Sequence, residues 1–375
     1  MTSWPDARRI AHSAATALPG ITLPLTEAAG LTLVEDLRAR SALPSFDAAA
    51  MDGWAVRGPG PWAVLGRLLA GDLPWPALGV GEAVEIATGA IVPFGCDRVS
   101  PYEQGLSDFS VGPAHIRAAG EECQVGDLLL PAGVVVTSAA VGLAAATGHD
   151  HLRVRRWAEV SVLVTGSELL VSGLPEKGRI RDAVGPLLVP ALRRKRVSVL
   201  AVEHLADDGE ALRSALVGAR GDVVLTSGAS SRGPADHLLT VLAELGADVL
   251  IEGVDVKPGH PQVLARLPHG PLLVGLPGNP LAALAGFVVL VEPVLAGLAG
   301  QPLAELARLP LGASVEGSTG SYRLVPVRLR HGTALPTGHG GAAMLRGAAV
   351  ADAFALLAPG AVGAAGDEVQ IVPLA

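Results

Sequence analysis

Aromatic side chains are scarce: five Trp, two Tyr and five Phe amount to 3% of 375 residues. The interior must be built from Ala, Leu and Val among 47 glycines, a composition that favours close backbone approach and frequent turns. Charge is also sparse, at 17%, with a net value of -8. A broad nucleic-acid surface is therefore excluded, because neutralising many phosphates requires a basic stripe. RVRRW (153–157) and RRKR (193–196) are basic only locally and read as a solvated strand edge and a helix C-terminus, where the dipole favours cations. Cys96 and Cys123 are too few for a disulfide framework and form no CxxC pattern, so both are expected to be plain thiols in a reducing, cytoplasmic compartment. The apolar stretch 281–300 is divided by Glu292 and Pro293. Each half is too short to span a bilayer, which takes about 20 apolar residues, and a buried helix is expected instead of a membrane anchor. The N-terminal apolar run is too short and broken for a signal sequence. HExxH, nucleophile-elbow and aromatic-basic RNA motifs are missing, which sets aside zinc catalysis and covalent hydrolase chemistry.

The length itself predicts two to four domains. Helical spacing predicts helices over 5–18 and along TEAAGLTLVEDL (26–37). From there to about residue 133, short apolar runs broken by Gly, Pro and Asp predict a β-rich domain, followed by a helix over 134–148. Beyond residue 158, apolar strands such as VSVLVTG, VSVLAVEHL and DVVLTSG alternate with helical segments up to about residue 300. That alternation predicts an α/β domain with parallel strands and helical crossovers on both faces. YRLVPVRL, ALLAPG and EVQIVPL then predict a small C-terminal β-domain.

Ligands of such α/β domains bind beyond the carboxyl ends of the strands, which directs attention to four loops. TSGASSRGPAD (226–236) offers Ser227, Gly228, Ser230, Ser231 and Gly233 as close-approach donors to an anion and Asp236 as a helix cap; a plain tight turn accounts for it as well, and it is neither a Walker loop nor GxGxxG. Glu168, Asp182, Asp207, Asp208 and Asp236 could gather at the same edge. They are either caps and surface charges, or carboxylates that Mg²⁺ joins to a phosphate. VKPGHP supplies Lys257 and His260, and GLPGNP sets Gly275, Gly278 and Asn279 among rigid prolines so that backbone can approach a ligand. In the β-rich part Asp47, Asp52, Thr88, Asp97, Glu103, Arg117, Glu121 and Glu122 are compatible with a lip over a phosphate site or with a solvated hairpin edge.

FDAAAMDGWA, ATGAIVPFGCDRV, IRAAGEECQVGD, VLVTGSEL, TSGASSRGPAD, VDVKPGHP and GLPGNP stand in this order along essentially the whole chain, which resembles the MoeA family of molybdopterin molybdotransferases, gephyrin's C-terminal part included. The resemblance implies a multidomain α/β plus β protein: an elongated linking domain (1–41 and 134–157), a β-rich insert (42–133), a MogA-like three-layer α/β domain (158–300) and a C-terminal β-barrel-like domain (301–375). It implies a homodimer with the active site shared between subunits, a MogA-like adenylyltransferase partner and molybdoenzyme acceptors. The implied reaction hydrolyses adenylyl-molybdopterin with Mg²⁺ and inserts molybdenum from molybdate, releasing AMP. Carried over by position, Asp52, Thr88 and Glu103 come from the insert; Glu168, Asp207 or Asp208, and Asp236 hold Mg²⁺ or position water. Ser227, Gly228, Ser231, Gly275, Pro277, Gly278, Asn279 and Pro280 line the pterin and phosphate pocket, with His260, and Lys257 meets molybdate or phosphate.

Several positions depart from the family pattern. Ala48, Ala49 and Glu85 replace Asn, Ser and Arg; Ser167, Val184, Ala229, Pro234, His260 and Ala282 replace residues of the α/β loops; and within STGSYRLV, where the family has an arginine and a glutamate before an aromatic, only Arg323 offers itself. These losses fall mainly on the implied molybdate pocket. They leave open a paralogue that binds the pterin or another oxyanion as a carrier or scaffold, and a CinA-like phosphohydrolase or deamidase.

Overall fold

The computed structural model describes residues 1–106, 114–175, 177–228, 236–268 and 270–374. They pack as two compact units, Ile21–Val154 and a second made of Met1–Gly20 with Arg155–Ala375.

In the first unit, short strands β1 (Gly53–Val56), β2 (Ala63–Leu68), β3 (Glu82–Ile86) and β4 (Arg98–Pro101) form one sheet in the order β2-β3-β1-β4. Alternation decides which face is buried: Ala55, Leu68, Val84, Ile86 and Val99 fill a small core, while Trp54, Arg67 and Glu85 belong to the opposite face. The helix expected over TEAAGLTLVEDL is a single turn, Leu25–Ala28. Gly30 adopts φ +84°, a left-handed conformation that stops a helix, and Thr32 and Leu33 bridge to Val135 and Val154 as extended chain. For the same reason helix α2 covers only Ser138–Ala146, with Thr137 as its N-cap. Cys123 is buried. Burial pushes the Cys96 thiol up to about 11 despite its bond to the Arg98 carbonyl, so at pH 8 about one molecule in a thousand carries the thiolate. Native protein is expected to resist a disulfide reagent at pH 8 and to release two thiols once unfolded. Fast labelling of native Cys96 would contradict the packing.

The second unit centres on a six-stranded sheet. Strands β5 (Glu159–Thr165), β6 (Ser198–Leu205), β7 (Val223–Ser227) and β11 (Leu272–Leu276) run parallel in the order β6-β5-β7-β11. The expectation of parallel strands throughout needs correction: β8 (Asp248–Glu252) and β10 (Val263–Arg266) extend the edge antiparallel. The chain from β8 returns through the VKPGHP turn, too short a connection for the crossover that a parallel pair needs. Val160, Val162 and Val164 pack on one face against helices α1 (Trp4–Ala14) and α3 (Val184–Arg194) and the segment 280–298. Leu163 and Val224 face α4 (Gly209–Gly218) and α5 (Leu238–Glu244) on the other. The result is a three-layer α/β arrangement.

Residues Pro280–Leu298 form one helix, long and apolar enough to cross a membrane but 83% buried inside the fold, as expected of a core helix. Pro293 does not break it. Phe287–Val291 widens to a π-turn between the α-helical stretches Pro280–Gly286 and Glu292–Leu298, which absorbs the hydrogen bond a proline cannot donate. The last part is a sheet of strands including β12 (Tyr322–Arg330), β13 (Ala353–Leu357) and β14 (Glu368–Pro373), joined antiparallel. The short strand β9 (Val256–Lys257) leaves the α/β domain and pairs with β12.

Candidate functional site

The carboxyl ends of β6, β5, β7 and β11 bring four loops side by side. At the centre, Gly228 has φ +90° and donates its N–H to the Leu276 carbonyl at 3.2 Å. A Cβ at Gly278 would lie 3.2 Å from the Gly228 Cα, so the TSG turn and the GLPGNP elbow touch through backbone alone. Thr165 Oγ1 donates to the Ser227 carbonyl at 2.7 Å, which ties the end of β5 to the same turn. On the other side, a Cβ at Gly259 would lie 2.9 Å from the Ala282 carbonyl oxygen, so the VKPGHP turn rests on the first turn of the helix that GLPGNP opens. Sequence reasoning singled out both elbows separately; the fold places them on the same helix start.

The acids divide into used and available groups. Asp182 is buried, and its Oδ1 accepts the N–H groups of Val184 and Gly185 while Oδ2 meets His204 Nε2 at 3.0 Å, so both of its oxygens are spent on holding the start of α3 and His204. Asp208 caps α4, accepting from Glu210 and Ala211. Asp207 Oδ2 accepts the Ser167 N–H at 2.9 Å while Ser167 Oγ accepts the Asp207 N–H at 3.0 Å, a reciprocal latch between the β5 and β6 loops. Asp236 Oδ1 accepts the Leu238 N–H at 3.2 Å and starts α5. The His237 ring lies 3.5 Å from where a Gly209 Cβ would stand, which makes the starts of α4 and α5 neighbours. Glu168 is exposed, and the lack of a side chain at Gly166 makes room for its carboxylate.

Among the positions expected to line a pocket, Gly278 and Asn279 are exposed and Pro280 half-buried. Gly275, Pro277 and Ser227 are buried instead; Gly275 leaves room for Leu238, since a Cβ there would stand 2.6 Å from its Cδ2, and the Ser227 side chain lies within the sheet. Ser231 lies outside the described residues, as do Ala229, Ser230, Gly233 and Pro234. The Leu281 and Ala282 amides are taken by the Ala342 carbonyl at 2.9 and 3.1 Å, so the helix start is capped by the C-terminal segment and the exposed Gly278–Asn279 turn is what remains open. Asn279 spends no side-chain bond on capping.

Lys257 and His260 are exposed. Lys257 pairs with Arg323 across β9 and β12, and paired residues of parallel strands point to the same face. That register, which sequence reasoning could not set, sets Arg323, whose guanidinium reaches Glu316 at 3.4 Å, next to Lys257 along the strands. No group of three or more His, Cys, Asp or Glu that could hold a metal is present among the described residues. Mg²⁺ takes one or two carboxylates and completes its shell with water and substrate phosphate; Glu168 follows β5 and Asp236 lies in the connection after β7.

In the other unit, Asp52 and Thr88 are exposed and joined: Asp52 Oδ1 accepts the Thr88 N–H at 2.7 Å and Oγ1 at 3.1 Å. Beside them, Arg67 forms a forked pair with Glu85, at 2.7 and 3.1 Å, and the Tyr102 hydroxyl donates to Glu85 at 2.6 Å. The Arg67 bond, then that of Tyr102, holds the Glu85 carboxyl below its ordinary value, and the Glu85 bond raises Tyr102.

A three-layer α/β domain with glycine-rich loops at its strand ends, continued by an antiparallel β-domain, is the class of protein that this architecture defines. Profile comparison agrees: the MoeA N-terminal region (domain I and II) matches residues 2–148, a probable molybdopterin binding domain matches 161–297, and the MoeA C-terminal region (domain IV) matches 308–374. A molybdopterin molybdenumtransferase of Staphylococcus aureus is 31% identical over 301 residues, covering 74% of this chain and 71% of its own. Molybdopterin molybdenumtransferase 2 of Mycobacterium tuberculosis is 35% identical over 321 residues, 78% of each chain. Two structures of molybdopterin biosynthesis MoeA proteins from Pyrococcus horikoshii superpose with TM-scores of 0.81 and 0.82 at 27% and 22% identity; each covers 100% of this chain, and 99% and 100% of the respective protein is covered. The chain belongs to the MoeA family.

Proposed function

We infer that this protein is a molybdopterin molybdenumtransferase of molybdenum cofactor biosynthesis, which takes adenylyl-molybdopterin and molybdate and releases AMP. The observation that carries this reading is the convergence of the TSG turn, the GLPGNP elbow and the VKPGHP turn at one edge of the sheet, with Lys257 exposed beside them. Backbone close to Gly228 and Gly278 holds the pterin phosphate, Asn279 orients the ligand with both a donor and an acceptor, and Lys257 with Arg323 draws the molybdate oxyanion. Fixed donors of this kind act most strongly on charge that develops during reaction. Glu168 and Asp236 hold Mg²⁺, which when bound neutralises phosphate charge, while Asp207 keeps the β5 loop in place through Ser167. Asp52 and Thr88 form a second lip on the anionic ligand, supplied by the other copy of a homodimer. The protein works in the cytoplasm, receiving substrate from a MogA-like adenylyltransferase and passing product to molybdoenzymes.

The test incubates purified protein with adenylyl-molybdopterin, Mg²⁺ and molybdate while AMP and molybdenum-loaded cofactor are measured. AMP release that depends on molybdate is expected. His260 and Glu85, which stand where the family has cations, favour a second reading, a carrier that binds the pterin tightly without releasing AMP. Turnover of ordinary nucleotides with molybdopterin untouched would support the CinA-like reading instead.

A further inference from the structure

We propose that Tyr102 and Glu85 are positioning residues for the Asp52–Thr88 lip, an inference that rests on the reading of that lip as ligand-facing. Trp54 and Arg67 are the cross-strand partners of Glu85 on either side, on β1 and β2, so the three lie in a row across the solvent face of the sheet. Tyr102, directly after β4, closes the row. Its ring meets Trp54 edge-on with centroids 4.8 Å apart at 88°, its hydroxyl donates to Glu85 Oε1 at 2.6 Å, and its backbone N–H donates to the Asp52 carbonyl at 3.2 Å. Asp52 precedes β1 and Thr88 follows β3, and the two residues are fastened to each other through Asp52 Oδ1.

A continuous chain of contacts thus runs from Arg67 through Glu85 and Tyr102 to the backbone of Asp52. Arg67 does not act as a free cation here, because both of its bonds end on Glu85. Glu85 instead has two tasks: it neutralises Arg67 and it accepts the Tyr102 hydroxyl. The second task uses an acceptor oxygen: an arginine at this position could restore an ion pair with an acid at 67, but it could meet Tyr102 only by reversing the bond and donating to the hydroxyl oxygen. The network fixes where the lip stands and leaves the strand-end loops of the α/β sheet untouched, so its loss acts on turnover rather than on capture of the substrate.

The experiment measures kcat and KM for molybdate-dependent AMP release in the full-length protein. Tyr102→Phe keeps the ring against Trp54 and removes one hydroxyl; kcat is expected to fall about fivefold with KM and melting temperature unchanged, a modest effect because the bond to the Glu85 carboxylate is exposed to solvent. Glu85→Gln, whose amide oxygen still accepts, keeps more of the rate than Glu85→Ala. Adding Tyr102→Phe to Glu85→Ala lowers the rate no further, because the two changes break the same bond. Full activity in Tyr102→Phe, or additive losses in the double variant, overturns the inference provided Asp52→Asn is impaired. Asp52→Asn at the unsubstituted rate overturns the ligand-facing reading of the lip itself, and the inference with it.

Discussion

Lys257→Ala is expected to raise the molybdate concentration needed for half-maximal AMP release and to lower kcat/KM for molybdate by about 100-fold, the usual cost of removing one donor from an oxyanion site. The lysine is exposed at the end of β9, where that strand passes from the α/β layer into the C-terminal sheet and lies in register with Arg323. Arg323 remains after the substitution, so activity falls without vanishing, whereas the double change Lys257→Ala with Arg323→Ala removes both cations. Capture of the adenylyl-pterin depends on the TSG and GLPGNP turns and is expected to stay within a few-fold. AMP release titrated with molybdate checks this; an unchanged half-saturation point would remove Lys257 from the oxyanion site.

Gly228→Ala is expected to be the most damaging single change in the strand-end loops. The residue combines φ +90° with a space in which a Cβ would stand 2.5 Å from the Thr165 carbonyl oxygen and 2.7 Å from its hydroxyl. The carbonyl belongs to β5 and cannot retreat without disturbing the sheet. A loss of about 2–4 kcal/mol in stability is expected, together with loss of pterin binding because the contact with Gly278 opens. Gly71 is the control: it has φ +92° and open space around its missing side chain, so Gly71→Ala meets only the intrinsic left-handed cost of about 1–2 kcal/mol. Denaturant unfolding of both variants separates the clash from the backbone term, and equal losses would refute the crowding at Gly228.

Period and punctuation made the α/β layer readable from sequence. VSVLVTG and DVVLTSG are continuous apolar runs, and a parallel strand buried on both faces has no need of polar alternation. The antiparallel edge was harder, because nothing within VLAR or DVLIE encodes direction; the short VKPGHP connection does, and length was its signal. TEAAGLTLVEDL carries a helical period that Gly30 and the bridges from Thr32 and Leu33 override. At the site, glycine and proline marked the two elbows, but Gly275 and Pro277 turned out to be buried, since a motif records close approach without saying whether ligand or protein approaches. Tyr102, Arg67 and the register of Arg323 were illegible for a common reason: each acquires its partner through strand pairing between distant segments. Ser167 read as a lost acid, and only the neighbouring loop reveals its bond to Asp207.

Glu85 also gives the insert a pH signature. Because its carboxyl is held below the ordinary value of 4.5, the stability it adds is complete above that value and is lost as pH falls through the lowered one.

A structure of the protein soaked with adenylyl-molybdopterin measures the central idea most directly. The phosphates should rest beside Gly228 and on the backbone of the Gly278–Asn279 turn, with Lys257 turned toward the same cleft. Ligand density seated away from the carboxyl ends of β5, β7 and β11, with those turns bare, would contradict it.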